Sequence, residues 1–380
     1  MAERYLELAA LAVSACTGLA VTGTAEYSYG TRGDFDAALL RLGDGGLAIA
    51  RSPRSAAAAR EQRAEIRADA ALTAGVRSLL PFGVPRMLGS RDDEEARVMV
   101  TAFLPGEKLD RLAPGADDPL LAEAGRALAA IHALPRVFVD EARLPALSAE
   151  EAREGALRDV ESARATGRLP ASIERRWRDA VRDPSLWQFA PCVIHGSMSP
   201  ARIVSDGRGV TGVLGWSDVR VGDPARDMHW LHRQEPAAAD AVLAAYTASR
   251  GASVDRQLRR RAGLYAELEV ARWLAHGARS GQEGIVADAE DMLLALADRV
   301  RHDETGPVVH ETLPVLDLTE VRLLLREAEE AGAPGPAVQD GLVHGDEGQE
   351  HPDDLSEHDL DHAEDDDLGD DTPPEDFLRR

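Results

Sequence analysis

The sequence predicts an α+β chain of two lobes, a small β-rich one followed by a larger, mainly helical one. Three observations predict it. Short apolar runs punctuated by Gly and Asp fill residues 1–104. Helix-period patterns dominate after Gly106. A cluster of very short strands between Cys192 and Leu214 interrupts those helices. At 380 residues, 44% hydrophobic and 29% charged, the chain has enough apolar surface for a real core.

Taken in order, residues 6–13 fit a short Ala/Leu helix. Segments Phe35–Leu42 and Leu47–Arg51 flank Gly43-Asp44-Gly45-Gly46 and predict a β-hairpin, with Pro53 ending its second strand. Residues 55–74, rich in Ala, Arg and Glu, predict a helix. Arg97–Phe103 reads as a buried strand that stops at Leu104-Pro105-Gly106. In the second lobe, Leu121, Ala124, Leu128 and Ile131 share one helical face of 121–134. Residues 149–165 and 171–183 are also helical. Cys192-Val193-Ile194 predicts a strand, His195–Arg202 a loop, Ile203-Val204 a strand and Val210–Leu214 its return. Helices are expected again from Asp227 to about Val300, broken near Gly251 and Gly281. The expected divisions are 1–104, 105–300, a linker and extra helix over 301–336, and an acidic tail over 337–380.

Charge narrows the function classes. With 67 acidic and 43 basic residues the net charge is −24, which argues against nucleic-acid binding and against a polybasic membrane anchor. No apolar run approaches the ~20 residues of a membrane span. Arg is frequent while Lys108 is the only lysine, a bias typical of a GC-rich genome. The two cysteines, Cys16 and Cys192, cannot form a disulfide framework and lack zinc-site spacing, so a reducing cytoplasm is the simplest location. No metal site is expected. In the tail, His358 and His362 lack a Glu directly after the first His. The stretch Glu364–Glu375 has Leu368 where a calcium loop needs an oxygen ligand.

The segment Val193–Leu231 carries the chemistry. It reads Val-Ile-His-Gly-Ser-Met-Ser-Pro-Ala-Arg-Ile-Val, then Thr-Gly-Val-Leu-Gly-Trp-Ser-Asp, then Gly-Asp-Pro-Ala-Arg-Asp. This resembles the catalytic and metal loops of the aminoglycoside phosphotransferase family, within the protein-kinase-like fold, with the macrolide-phosphotransferase branch most similar. Arg51, in Ile49-Ala50-Arg51-Ser52-Pro53, stands where the resemblance places a phosphate-contacting lysine, and Glu65 stands at its helix partner. Val100–Gly106 resembles the hinge between lobes and puts Thr101 and Phe103 beside the nucleotide base. Gly125–His132 resembles the helix after the hinge. The resemblance covers about residues 6–300 and implies ATP- or GTP-dependent phosphorylation of a small-molecule hydroxyl.

The departures bear on activity. Ser197 replaces the family's catalytic Asp, Arg202 its metal-binding Asn, and Gly215 its second metal-binding Asp, while His195, Gly196, Trp216, Asp223 and Asp227 remain. Phosphoryl transfer depends on positioning and on charge neutralisation by Mg²⁺. Ser197 is a poor general base, Gly215 offers no ligand, and Arg202 repels a cation. These losses argue against Mg²⁺ and imply a pseudokinase that keeps at most a site for ATP, GTP or another small ligand. Arg51 and Glu65 read either as an ordinary surface pair or as a surviving phosphate site. Asp218 reads as a solvated turn residue or a substitute metal ligand, and Asp223 and Asp227 as backbone caps. His195 reads as a packed histidine and Cys192 as a buried small hydrophobe.

Two other functions stay open: an active small-molecule phosphotransferase using Asp218 and Asp223 in unorthodox roles, and a scaffold whose tail docks a basic protein surface. Residues 341–380 hold 16 Asp/Glu and 2 Arg. Such a segment is expected to be disordered, with the Arg-rich stretch Arg256–Arg261 as one docking surface. Truncation at Pro336 should leave the thermal midpoint unchanged to within about a degree at moderate ionic strength, where charges are screened beyond ~8–10 Å. A large destabilisation in a melting experiment would show instead that the segment packs as structure.

Overall fold

The computed structural model describes residues 2–27, 34–93, 97–251 and 254–302. The chain opens with α1 (Ala2–Ala15), followed by β1 (Val21–Glu26), β2 (Phe35–Leu42) and β3 (Leu47–Pro53). Next come α2 (Ala56–Ala71), α3 (Ala74–Arg77), β4 (Met87–Asp92) and β5 (Arg97–Ala102). The five strands form one antiparallel sheet in the order β1-β2-β3-β5-β4. Strand periodicity explains how it is used, because successive side chains point to opposite faces. Ala38, Leu40, Ala48, Ala50, Val98 and Val100 pack on one face against Leu8, Ala12 and Cys16 of α1. Ala37, Leu39, Leu47 and Ile49 lie on the other, with Tyr27 and Phe103. Arg51 is two residues beyond Ile49 and so projects from this second face. α2 begins at Ser55, whose hydroxyl accepts from Ala58 N at 3.0 Å.

After the sheet come β6 (Glu107–Lys108), α4 (Leu109–Leu112), α5 (Pro119–His132), α6 (Val137–Glu141), α7 (Ala149–Ala165) and α8 (Ala171–Arg182). Then β7 (Cys192–Ile194), β8 (Ile203–Ser205), β9 (Val210–Val213) and β10 (Arg220–Gly222) frame the loops of interest. Finally α9 (Pro236–Arg250), α10 (Leu258–Ser280) and α11 (Glu283–Arg301) complete the helical lobe. Its core brings together Leu128 and Ile131 of α5, Trp177 of α8, Val242 of α9, Leu268 and Leu274 of α10 and Leu293 of α11. Helices α5 and α9 approach so closely that a Cβ on Gly125 would run into the Val242 carbonyl. Ala68 and Ala71 of α2 and its C-cap Leu72 belong to this same core, and Gly83 exchanges backbone hydrogen bonds with Thr211 and Val213 at 2.8 and 3.0 Å. The sheet lobe is thereby fastened to the strand that precedes Gly215.

The two-lobe α+β reading holds. Strands β1, β4 and β10 were not expected from the sequence; β1 and β4 contain Gly and charged residues, and β10 is only three residues long. The segment after Gly222 also differs from expectation. Pro224–Arg233 is a 3₁₀ stretch and not the start of an α-helix, with Asp223 capping it and Pro224 in its first turn. The expected docking stretch is only partly available: Arg256 and Arg259 are exposed, but Arg261 is fully buried. The expected linker and helix within 301–336, apart from Arg301 and His302, and the expected disordered tail over 337–380, lie outside the described residues. Among the described residues no helix is long and apolar enough to cross a membrane.

Candidate functional site

An open cleft lies under the sheet. Arg51, Glu65, Thr101 and Phe103 all line it, together with Lys108, Val204, Leu214 and Gly215. Register explains the convergence. Ile49 pairs with Thr101 and Arg51 with Met99 across β3 and β5, so alternate residues of both strands face the same side. Arg51 is held in an ion pair with Glu65 of α2, and its guanidinium also lies 5.2 Å from the Phe35 ring centre. The Arg51 carbonyl accepts from Gln62 Nε2 at 3.2 Å, which ties α2 to the strand a second time.

Below the cleft, β7 and β10 pair antiparallel, as do β8 and β9, and these two ladders carry the loop His195–Arg202 and the turn at Gly215. Asp227 organises the loop. Its Oδ2 accepts from His195 N and its Oδ1 from Gly196 N, both at 2.7 Å. His132 Nε2 lies 3.1 Å from Oδ2, and His132 Nδ1 lies 2.9 Å from Tyr246 Oη. Burial pushes the Asp227 carboxyl up, but His132, His195 and the backbone N–H outweigh it and hold the group below the usual carboxylate range. Gly196 has φ +89°, and a Cβ there would strike the Asp218 backbone.

His195 is fully buried, with Nε2 at 2.9 Å from the Leu214 carbonyl and the ring against Trp216. Burial is the main cause that lowers its pKa, to about 4, and the charge of Arg202 adds to it. The imidazole is therefore neutral near pH 7, as expected for a packed histidine. Its Nδ1 and the Ser197 hydroxyl are buried without a hydrogen-bond partner.

Arg202 and Gly215, where the resemblance expects metal ligands, fit one another sterically. Gly215 has φ +71°, and a Cβ built on it would fall inside the Arg202 guanidinium. Arg202 is 8% exposed and its Nη1 donates to the Gly215 carbonyl at 3.3 Å. Thus the arginine fills the volume that a side chain at 215 would need. Of the two positions where the resemblance expects metal ligands, 215 has no side chain and 202 carries a guanidinium.

The remaining carboxylates are committed elsewhere. Asp218 is not a solvated turn residue: its Oδ1 accepts from Arg220 Nη2 at 2.7 Å, and Arg220 Nε donates to the Asp218 carbonyl at 2.9 Å. Asp223 caps Ala225 N at 2.9 Å and accepts from Arg261 Nε at 2.7 Å and Tyr265 Oη at 3.1 Å, so it is sealed in the helical core. Cys192 is half-buried and not fully buried, and burial pushes its thiol up to about 12. Sequence reasoning did not assign His132, Arg220 or Arg261 to the site: the partners of His132 and Arg261 lie 95 and 38 residues away, and the adjacent Arg220–Asp218 pair carried no motif of its own. Lys108 carried a signal, its uniqueness in the composition, that was not read as a site.

A family model described as "Phosphotransferase enzyme family" matches residues 31–265. Among solved structures, a macrolide 2′-phosphotransferase type I is 25% identical with a TM-score of 0.62, covering 76% of this chain and 96% of that one. Macrolide 2′-phosphotransferase MphH from Brachybacterium faecium is 22% identical with a TM-score of 0.63, covering 75% and 97%. A GDP and kanamycin complex of an APH(2″) enzyme is 19% identical with a TM-score of 0.62, covering 76% and 98%. A curated relative, uncharacterized protein YcbJ of Bacillus subtilis (strain 168), is 27% identical over 101 residues. That match spans 26% of this chain and only 33% of the relative's length.

Two measurements test this geometry. Gly215→Ala should destabilise the wild type more than it destabilises an Arg202→Ala background, by about 1 kcal/mol, because only the wild type must also displace the guanidinium. Additive losses in denaturant titrations would mean that the two residues do not compete for space. The second concerns pH. His195 is neutral in the fold with a pKa near 4 and titrates near 6.5 when unfolded. Its contribution is therefore complete above pH 6.5 and is lost as pH falls toward 4. The unfolding midpoint of His195→Gln should fall less over that window than that of the wild type; parallel curves would show that His195 is not held neutral.

Proposed function

We propose that this chain, which belongs to the phosphotransferase enzyme family, is a catalytically degenerate member that keeps a nucleotide-binding cleft and has lost metal-dependent phosphoryl transfer. The observation that carries the reading is the Arg202 guanidinium in the space above Gly215. Transfer of a phosphoryl group needs charge neutralisation at the phosphates and an oriented nucleophile. At the loop, Ser197 offers a hydroxyl and no carboxylate, and removing a general base alone costs about 10²–10⁴ in rate. The use of Asp218 and Asp223 in their place finds no support, since Arg220 and Arg261 already hold them.

A bound nucleotide is supported from the other side of the cleft. Arg51, oriented by Glu65, can meet phosphate oxygens with its fork of donors, and Thr101 and Phe103 stand where a base would be held. Relatives of the same fold are described as GDP and ADP complexes, which favours a purine nucleotide here. A small-molecule ligand of the macrolide or aminoglycoside kind is a secondary expectation from the same relatives. The free thiols fit a cytoplasmic protein, and the tail's net charge fits a basic protein surface as partner.

Purified protein with ATP or GTP and Mg²⁺ should give no phosphorylated product from a macrolide and aminoglycoside panel. The triple variant Ser197→Asp, Arg202→Asn, Gly215→Asp should restore detectable transfer. Mg²⁺-dependent turnover by the wild type that Asp218→Ala abolishes would overturn the reading and establish an active enzyme.

A further inference from the structure

Leu104 stands where the chain passes from the sheet to the helical lobe, between β5 and β6. Its side chain is held between two glycines that are far apart in the sequence. A Cβ on Gly83 would lie 3.2 Å from Leu104 Cδ2, and one on Gly212 would lie 2.7 Å from Leu104 Cδ1. Neither glycine has a left-handed φ. Their backbones would suit other residues, so what glycine provides at both places is room for the isobutyl group.

Gly83 belongs to the segment that leads from α3 into β4, and Gly212 belongs to β9. The two lie side by side in a parallel bridge. Gly83 N donates to the Thr211 carbonyl at 2.8 Å, and Val213 N donates to the Gly83 carbonyl at 3.0 Å. The chain beyond Leu104 is bound to the same hairpin. Thr211 Oγ1 donates to the Pro105 carbonyl at 3.4 Å, and β6 pairs with β8 through Glu107–Ser205 and Lys108–Val204. The β8–β9 hairpin thus grips the sheet lobe at Gly83 and the connecting segment at Pro105 and β6, with Leu104 wedged between the two grips. A rotation that widened the cleft would have to part Gly83 from β9, breaking both hydrogen bonds while Leu104 leaves its seat. Packed contacts of this kind hold in discrete arrangements and do not stretch. Leu104 also lines the cleft, beside Gly106, Val204 and Leu214, so the wedge is part of the wall that a ligand would touch.

We propose that Leu104 is a latch that fixes the separation of the two lobes, so that the cleft is preformed at its working width and does not open by rotation about the segment between β5 and β6. Such a latch acts on any occupant of the cleft and does not rest on the nucleotide reading. Hydrogen exchange of the full chain, followed by mass spectrometry, tests it. The amides of Gly83 and Val213 both donate across the boundary between the lobes, and they exchange only when the lobes part or the chain unfolds.

In the wild type these two amides should exchange within about tenfold of the rate of the β5 amides at 98–100. Leu104→Ala should speed them by about 10- to 100-fold, as expected when a half-buried leucine is truncated, and leave the β5 amides unchanged. Leu104→Met, which reaches the same seat, should keep the wild-type rates. Where Leu104→Ala does not fold, Leu104→Val, which lacks the Cδ atoms that fill the seat, takes its place. Gly212→Ala should speed exchange by itself, because its methyl displaces the tip of Leu104. It should add little to Leu104→Ala, where that space is vacant. Wild-type exchange at Gly83 and Val213 as fast as in an unstructured peptide overturns the proposal. So does a truncated Leu104 with wild-type rates, which would mean that α2 on the helical core holds the lobes without a latch. Additive effects of Leu104→Ala and Gly212→Ala overturn it as well, since the two residues would then share no seat.

Discussion

The carboxylate of Asp227 is the interaction on which the geometry of the site depends. It is fully buried, and a buried charge persists only when its lone pairs are satisfied. Here the backbone N–H groups of His195 and Gly196 and the His132 imidazole do so. The consequence is mechanical. His132 belongs to α5, which packs on α9, and Tyr246 of α9 closes the other side of the His132 ring. The bend after β7 is thus referenced to the middle of the helical lobe, with Gly196 supplying the conformation that no side chain would fit. A loop anchored this way can change its side chains at 197 and 202 and still keep its path.

The residues at 202 and 215 are matched to one another in space. A glycine at 215 opens a volume and an arginine at 202 fills it, so each replacement removes the steric objection to the other. Packing density would otherwise penalise either change, as a void or as an overlap. The pair also places a guanidinium beside the Gly215 carbonyl. Ser197 has no such compensation: its hydroxyl is buried and unsatisfied, a cost that the surrounding fold absorbs.

Much of this was legible in the sequence because it rests on local patterns. The hairpin around Gly43–Gly46, the strand ending at Leu104-Pro105-Gly106 and helix α7 follow from turn residues and periodicity, and all are present. The cleft-lining set of Arg51, Glu65, Thr101 and Phe103 was legible through motif order. What was not legible depends on distant partners. Nothing near Asp223 in the sequence shows that Arg261, 38 residues on, draws it into the core. Strands β1 and β4 escape for a different reason: as sheet edges they carry Gly, Thr and charge in place of an apolar run.

The carboxylates around the site are largely taken up by the fold itself. Glu65 orients Arg51, Asp227 supports the loop, Asp218 is paired with Arg220, and Asp223 is locked to Arg261. Each of these four serves a cation or a backbone group of the protein, and none is left to orient a substrate hydroxyl. Catalysis requires a group whose best interaction is reserved for the transition state. The two carboxylates that line the cleft differ in this respect: Glu65 is held by Arg51, whereas Glu107 is exposed to water, which weakens its field.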